Sequence, residues 1–154
     1  MNIQPATFAH LHAIHAVECE CFSDPWSLGA FSQDLNNIHI IALVAMDEEQ
    51  PVPTLAGYTF MRHLVEDGHI DNIAVAPAYR RMGVASLLMK ALLCEAKKRG
   101  MEKITLEVRQ GNRAAMALYH KYGFIPVGYR RNFYRDPNED AVIMQKQYEV
   151  KHEA

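Results

Sequence analysis

A strand that leads through a short loop into a long helix constrains the fold of this chain more than any other feature. The apolar run Ile73-Ala74-Val75 is stopped by Pro77, and a loop containing Arg80-Arg81 and Gly83 follows. Beyond it, apolar residues recur at three- and four-residue steps, which predicts a helix packed back on the sheet of an α/β domain. The N–H groups and dipole at the start of such a helix bind anions, and a small residue lets a phosphate approach the backbone. These residues alone leave open whether the loop binds a phosphate or is an ordinary strand-to-helix turn.

Helix and strand patterns alternate along the rest of the chain. Apolar residues at helical steps predict an amphipathic helix from Thr7 to Cys21, and Asp67-Gly68 is predicted as a hairpin turn. Strands are predicted over residues 40–46, 55–64, 69–75, 104–108, 124–129 and 141–146, with a further helix over 112–122. Residues 1–154 are therefore expected to form one α/β domain around a mixed sheet.

Composition and charge exclude several classes of protein. The net charge is -2, and three arginines, Arg130, Arg131 and Arg135, do not make the basic patch of a nucleic-acid-binding protein. The N-terminus lacks the basic and apolar regions of a signal peptide. The longest apolar run, residues 40–46, is far shorter than the roughly 20 residues that span a bilayer. We therefore expect a cytoplasmic protein without a membrane partner or direct contact with nucleic acid.

Neither disulfides nor a metal site is expected. Cys19, Cys21 and Cys94 are odd in number and lack a CxxC spacing, which favours reduced thiols. His12, His15 and Cys19 share one face of the first predicted helix, where they could bind a soft metal, but no fourth ligand is spaced to join them. A solvated polar face is the preferred interpretation.

The loop gains a specific meaning from its similarity to a known family. Arg80-Arg81-Met82-Gly83-Val84-Ala85 resembles the R/Q-x-x-G-x-G/A signature of the GNAT acetyltransferases, whose loop holds the pyrophosphate of acetyl-CoA. The ordered set of motifs is similar to the bacterial ribosomal-protein alanine N-acetyltransferases, the RimI group, and covers nearly the whole chain. The other segments that carry the likeness are Pro25-Trp26-Ser27, residues 106–112, Ala117-Leu118-Tyr119, Tyr122-Gly123-Phe124 and Arg131-Asn132-Phe133-Tyr134. The resemblance implies a GNAT fold, with a mixed, mostly antiparallel central sheet flanked by helices.

Three positions depart from the family pattern. Gly111 stands where Ser usually precedes the Asn, Phe133 replaces a usual Tyr, and Asp71 stands where an apolar residue is commoner. The first two remove hydroxyl groups, so they put the hydrogen bonds to the acceptor in doubt. None of the three alters the thioester chemistry.

The resemblance also implies which residues hold acetyl-CoA, the expected co-substrate. The main chain of Ile73, Ala74 and Val75 would contact the acetyl carbonyl and the pantetheine arm, and their side chains are expected to be buried in the strand. Asn112 would hydrogen-bond the coenzyme, and a plain helix N-cap is the alternative role. The pyrophosphate would lie against Arg80, Arg81, Met82, Gly83, Val84, Ala85 and Ser86.

Two residues are candidates for acid–base catalysis. Glu107 lies on the face of its strand opposite Leu106 and Val108, which suits a base beside a cleft, and an exposed strand carboxylate is the alternative. Tyr119 lies about two turns beyond Asn112 on nearly the same face of a helix. The resemblance makes Tyr119 the acid that protonates the departing thiolate, and a core aromatic side chain is the alternative.

The expected function is transfer of an acetyl group to the N-terminal α-amine, typically alanine, of a small-subunit ribosomal protein. A lysine or small-amine acetyltransferase of the same fold remains an alternative, because a fold does not fix its acceptor. A non-catalytic coenzyme A-binding module that serves as an interaction partner is a second alternative.

Overall fold

A computed structural model describes residues 1–148 of the chain. These residues form seven strands and four α-helices, with single 3₁₀ turns at Phe8–His10 and Pro77–Tyr79. The elements in chain order are β1 (Asn2–Pro5), α1 (Leu11–Cys21), α2 (Leu28–Leu35), β2 (Ile40–Asp47), β3 (Thr54–Leu64), β4 (Asp67–Val75), α3 (Val84–Lys98), β5 (Lys103–Arg109), α4 (Arg113–Lys121), β6 (Ile125–Tyr134) and β7 (Glu139–Gln147).

All seven strands form one sheet, in the order β1-β2-β3-β4-β5-β7-β6. Every neighbouring pair is antiparallel except β4 and β5, whose connection through α3 makes them parallel. The predicted α/β fold with a mixed, mostly antiparallel sheet is confirmed. Among residues 1–148, no helix combines the length and apolar character needed to cross a bilayer.

Helices cover both faces of the sheet and create two apolar cores. One core includes Leu88 and Leu92 of α3 and Phe124 after α4, and the other includes Phe31 of α2 with Tyr58 of β3. Strand β3 is buried from Leu55 to Met61 without alternation, because both of its faces are covered. Strands β4 and β5 lie in the middle of this sheet.

The predicted hairpin turn at Asp67-Gly68 is wrong. Leu64 pairs with Asp67, so Val65 and Glu66 form the turn and Gly68 lies within β4. A Cβ atom at Gly68 would lie 2.8 Å from the Met101 Sδ atom. The glycine thus lies within the strand and packs closely against the core rather than forming the turn.

Two short elements were not predicted from the sequence, β1 and α2. Strand β1 has four residues and stands at the edge of the sheet beside β2. Helix α2 has eight residues, of which only Phe31 is fully buried, and Ser27 caps it by accepting a hydrogen bond from the Ala30 N–H. Elements this short have little periodicity, and their contacts with the rest of the fold stabilise them.

The two central strands separate along their length. Strands β4 and β5 pair from Asp67 and Lys103 as far as Ile70 and Leu106, and no residue beyond that point is paired between them. The β3–β4 register shifts at the same level, so that Asp71 is the extra residue of a β-bulge. The bulge and the separation open a gap in the sheet between the ends of the two parallel strands.

Candidate active site

A cleft of about 500 Å³ lies where β4 and β5 separate. Its walls come from the end of α1, the α1–α2 connection, the two central strands, the start of α4 and the end of β6. Four of the predicted site residues line it together: Ile73, Glu107, Asn112 and Tyr119. The predicted phosphate loop, residues 80–86, is outside this lining and lies at the start of α3.

Main-chain groups at the end of β4 face the gap. The Ala76 N–H donates to a β3 carbonyl, and hydrogen-bonded residues alternate along an antiparallel pair. The groups of Ala74 therefore point toward β3, while those of Ile73 and Val75 point toward β5. The Cys21 thiol donates to the Val75 carbonyl at 3.3 Å, which leaves the Ile73 groups and the Val75 N–H for a ligand.

The start of α3 has the conformation of an anion site. Gly83 is the N-cap in a left-handed conformation (φ 77°). Because glycine has no side chain, no N-cap side chain accepts hydrogen bonds from the first N–H groups of the helix. A Cβ atom at Gly83 would have no neighbour within 4 Å, so the space beside it is open. Arg80 and Arg81 are exposed there, whereas the Val84 side chain is buried and only its main chain is available. Met82 is exposed and Ala85 and Ser86 are partly exposed.

Glu107 is held by a histidine that the sequence did not single out. Its side chain is 12% exposed, and its Oε2 lies 2.6 Å from the His69 Nε2. The other ring nitrogen of His69, Nδ1, lies 2.6 Å from Asp71 Oδ1. Hydrogen bonds to Asp71 and then to Glu107 raise the pKa of His69 to about 9, because both stabilise the imidazolium ion.

Tyr119 presents a free hydroxyl in an apolar setting. It is 6% exposed, its ring packs edge-on against Phe124 at 6.1 Å, and its hydroxyl has no hydrogen bond to any residue among 1–148. Burial raises its pKa above the usual value, so the hydroxyl stays protonated at neutral pH. Tyr134 also lines the cleft, and burial raises its pKa to about 12. The structure therefore offers two protonated phenols to the cleft.

Asn112 is the N-cap of α4, as its alternative role predicted. Its Oδ1 accepts a hydrogen bond from the Ala115 N–H at 3.1 Å. The amide Nδ2 has no partner among the described residues and is the group left to bind a ligand. Both roles assigned from the sequence are compatible, since they use different atoms of the side chain.

Glu18 is a further cleft residue without a sequence signal of its own. It is 1% exposed and accepts hydrogen bonds from the Tyr58 hydroxyl (2.5 Å), Asn72 Nδ2 (2.6 Å) and the Trp26 N–H (2.8 Å). These bonds connect α1, β3, β4 and the segment before α2, and they leave the carboxylate fully satisfied. The arrangement fixes the wall of the cleft that Trp26 lines.

The structure explains one departure from the family pattern. Glu139 Oε2 accepts a hydrogen bond from the Gly111 N–H at 2.6 Å, and Arg109 pairs with the same carboxylate. A Cβ atom at Gly111 would lie 2.8 Å from that oxygen, so Glu139 occupies the space that a serine side chain needs. The loss of the serine hydroxyl is thus accompanied by a carboxylate at the same place.

The chain is similar in sequence to acetyltransferases. The profile of the Acetyltransferase (GNAT) family matches residues 11–124. A putative ribosomal protein bS18-alanine N-acetyltransferase of Bacillus subtilis is 31% identical over 131 residues, which cover 85% of each chain.

Solved structures show the same likeness in three dimensions. The crystal structure of the ribosomal-protein-S18-alanine N-acetyltransferase from Escherichia coli has a TM-score of 0.89 at 30% identity, covering 99% of this chain and 96% of that one. Arabidopsis thaliana NAA60, solved in complex with acetyl-CoA, has a TM-score of 0.85 at 17% identity, covering 95% of this chain and 97% of that one. At this lower identity the likeness concerns the fold alone.

Proposed function

The chain belongs to the GNAT acetyltransferase family, and we propose that it transfers the acetyl group of acetyl-CoA to the N-terminal α-amine of a ribosomal protein. The relatives named as bS18-alanine N-acetyltransferases support an acceptor that begins with alanine. Such an acceptor is made in the cytoplasm, where we expect the enzyme to act. Residues 1–154 would form one acetyltransferase domain.

The observation that carries this proposal is the set of groups brought together at the cleft. Ile73 of β4, Glu107 of β5 and Tyr119 of α4 line the same cleft, and the Val75 N–H points toward the gap from the same strand as Ile73. Amide formation by direct attack requires a bound thioester, a base for the amine and an acid for the departing thiolate. The open start of α3 at Gly83 suits the pyrophosphate of the same co-substrate.

The reaction is a direct transfer of the acetyl group from sulfur to nitrogen. The acceptor ammonium gives one proton to Glu107, and the free amine attacks the thioester carbon. A main-chain N–H of β4, at Ile73 or Val75, stabilises the negative charge that develops on the carbonyl oxygen. The carbon–sulfur bond then breaks, and Tyr119 protonates the thiolate and regains a proton from the former amine nitrogen. One proton leaves through Glu107 for each acetyl group transferred.

The charges at the cleft are mixed, and carboxylates outnumber cationic side chains. Glu18, Asp24, Asp71 and Glu107 line it together with His69, Arg109 and Arg135, and Arg109 is engaged by Glu139 and by two main-chain carbonyls. A protonated α-amine is attracted to such a site, and with a pKa near 7.7–8.0 it needs only a modest base.

Labelled acetyl-CoA and synthetic peptides test the proposal directly. A peptide that begins with free alanine should gain one acetyl group at its terminus, located by mass spectrometry, and the same peptide with a blocked terminus should gain none. Label chiefly on internal lysines would favour the lysine acetyltransferase alternative. Acetyl-CoA binding without any transfer would favour the non-catalytic module.

A further inference from the structure

His69 lies between two carboxylates at short distance. Its Nδ1 is 2.6 Å from Asp71 Oδ1, and its Nε2 is 2.6 Å from Glu107 Oε2. A neutral imidazole has one N–H, so it can donate to only one of the two oxygens. Both contacts have hydrogen-bond length, and an imidazolium ion that donates to both carboxylates accounts for them.

A line of alternating charges extends from this histidine across the sheet. Arg62 of β3 contacts Asp71 Oδ2 at 3.3 Å and Asp34 of α2 at 3.7 Å. On the other side, Arg130 of β6 lies 3.9 Å from Glu107 Oε1. The charged groups around His69 thus come from α2, β3, β4, β5 and β6, and the two in direct contact with it are acidic.

Strand register makes this arrangement possible. His69 pairs with Thr105 in the parallel register, so Glu107 is its diagonal neighbour on the same face of the sheet. Asp71 is two residues beyond His69 in β4, and its carboxylate contacts the His69 ring. Asp71 is also one of the three positions where the chain departs from the family pattern, and the structure gives it a partner.

We propose that His69, oriented by Asp71, is a positioning residue that holds Glu107 Oε2, while Oε1, which has only a longer 3.9 Å ion pair with the exposed Arg130, receives the proton of the acceptor amine. This inference rests on the proposed function, since it concerns the same base. The imidazolium keeps both of its protons during the reaction.

The positioning operates only while both ring nitrogens carry protons. With a pKa of about 9, His69 is an imidazolium ion at neutral pH and loses one proton as the pH rises through 9. One of the two contacts then brings a lone pair against a carboxylate and opens. In the same pH range the acceptor amine is already deprotonated and needs no base.

His69→Gln provides the test, because glutamine donates a hydrogen bond but carries no charge. With an alanine-starting peptide, kcat should fall about tenfold or more near pH 7, a part of the 10² to 10⁴ that a general base supplies. The KM for acetyl-CoA should stay within about twofold, since none of the groups involved faces the start of α3. The wild-type and variant rates should converge above pH 9.

A double-variant cycle distinguishes positioning from a general structural effect. If His69 acts through Glu107, His69→Gln should lower the rate of the wild type but add almost nothing to the defect of Glu107→Gln. His39→Gln, at an exposed histidine before β2, is the matched control and should leave kcat unchanged. An equal loss from His69→Gln in both backgrounds, or wild-type rates at pH 7, would overturn the inference.

An NMR titration keeps this inference separate from the proposed function. The His69 ring should titrate near pH 9 in the wild type and at a lower pH in Asp71→Asn, whatever the acceptor is. A normal titration near pH 6.5 would overturn the inference even in an active enzyme. Absence of transfer to any α-amine would instead overturn the proposed function.

Discussion

The proposed coenzyme site and the charged network beside the proposed base are built in different ways. The proposed coenzyme site consists of main-chain groups from one continuous stretch, from Ile73 through the loop to the start of α3. The network consists of charged side chains from α2 and four strands, held by contacts such as His69 to Glu107. A main-chain site depends on local conformation, whereas a side-chain network depends on which residues the register places side by side. Substitutions at the proposed coenzyme site should therefore change the affinity for acetyl-CoA, whereas substitutions around the proposed base should change the rate of transfer.

The largest effect is expected at the proposed base, from Glu107→Gln. Loss of the base should lower kcat/KM for an alanine-starting peptide by about 10² to 10⁴ near pH 7. Part of the rate should return as the pH rises past 8, because the amine then deprotonates without help. Rates measured between pH 6 and 10 check this, with Glu20→Gln, an exposed carboxylate on α1, as the control. A defect that does not change with pH would mean that Glu107 is not the base.

Tyr119→Phe should give a smaller loss with a different pH dependence. Removing the proton donor should lower kcat by about 10², and the defect should persist at high pH because a free amine does not help the thiolate to leave. Tyr129→Phe, at a 66% exposed tyrosine of β6, is the matched control. Wild-type rates in Tyr119→Phe would assign the acid role to another group, of which Tyr134 is the nearest candidate by its place in the cleft.

Gly83→Val should act on the proposed coenzyme site alone. A left-handed conformation costs a β-branched residue roughly 1–2 kcal/mol, and the loop must distort to relieve it. The Kd for acetyl-CoA, measured by calorimetry, should rise about tenfold or more, while the His69 titration stays as in the wild type. Gly100→Val imposes the same strain at φ 69° after α3 and should leave the Kd unchanged. Equal losses of affinity in both variants would attribute the effect to general destabilisation.

The smallest expected effect is on the pH dependence of the free energy of unfolding. The pKa of His69 is raised from 6.5 to about 9 by its two carboxylate partners, so its contribution is fully present below pH 6.5 and is lost as the pH rises through 9. Since the side chain is 33% exposed, solvent screening reduces this contribution to about 1–2 kcal/mol. Urea unfolding of the wild type and of His69→Gln at pH 6.5 and pH 9.5 measures it. The two proteins should differ at the lower pH and agree more closely at the higher one, and a constant difference would contradict the linkage.

Local patterns predicted most of the fold because they are properties of short stretches. Helices α3 and α4 have strong periodicity, and Asn112 and Gly123 mark the ends of α4 by capping chemistry. The prediction of a turn at Asp67-Gly68 was wrong because the same dipeptide occurs both in turns and in tightly packed strands. Pairing with β3 and packing against Met101, 33 residues away in the chain, place Gly68 in the strand.

The sequence by itself determined the strand–loop–helix unit at Ile73–Ser86, the candidate base and acid, and the family to which they point. These features depend on residue order and on the repeat of side chains every two residues in strands and every 3.6 residues in helices, which local backbone geometry sets. The tertiary structure decided that His69 lies between Asp71 and Glu107, and that Glu18 connects Tyr58 to Asn72. Strand register brings those groups together, and it depends on the packing of the whole sheet rather than on any one segment.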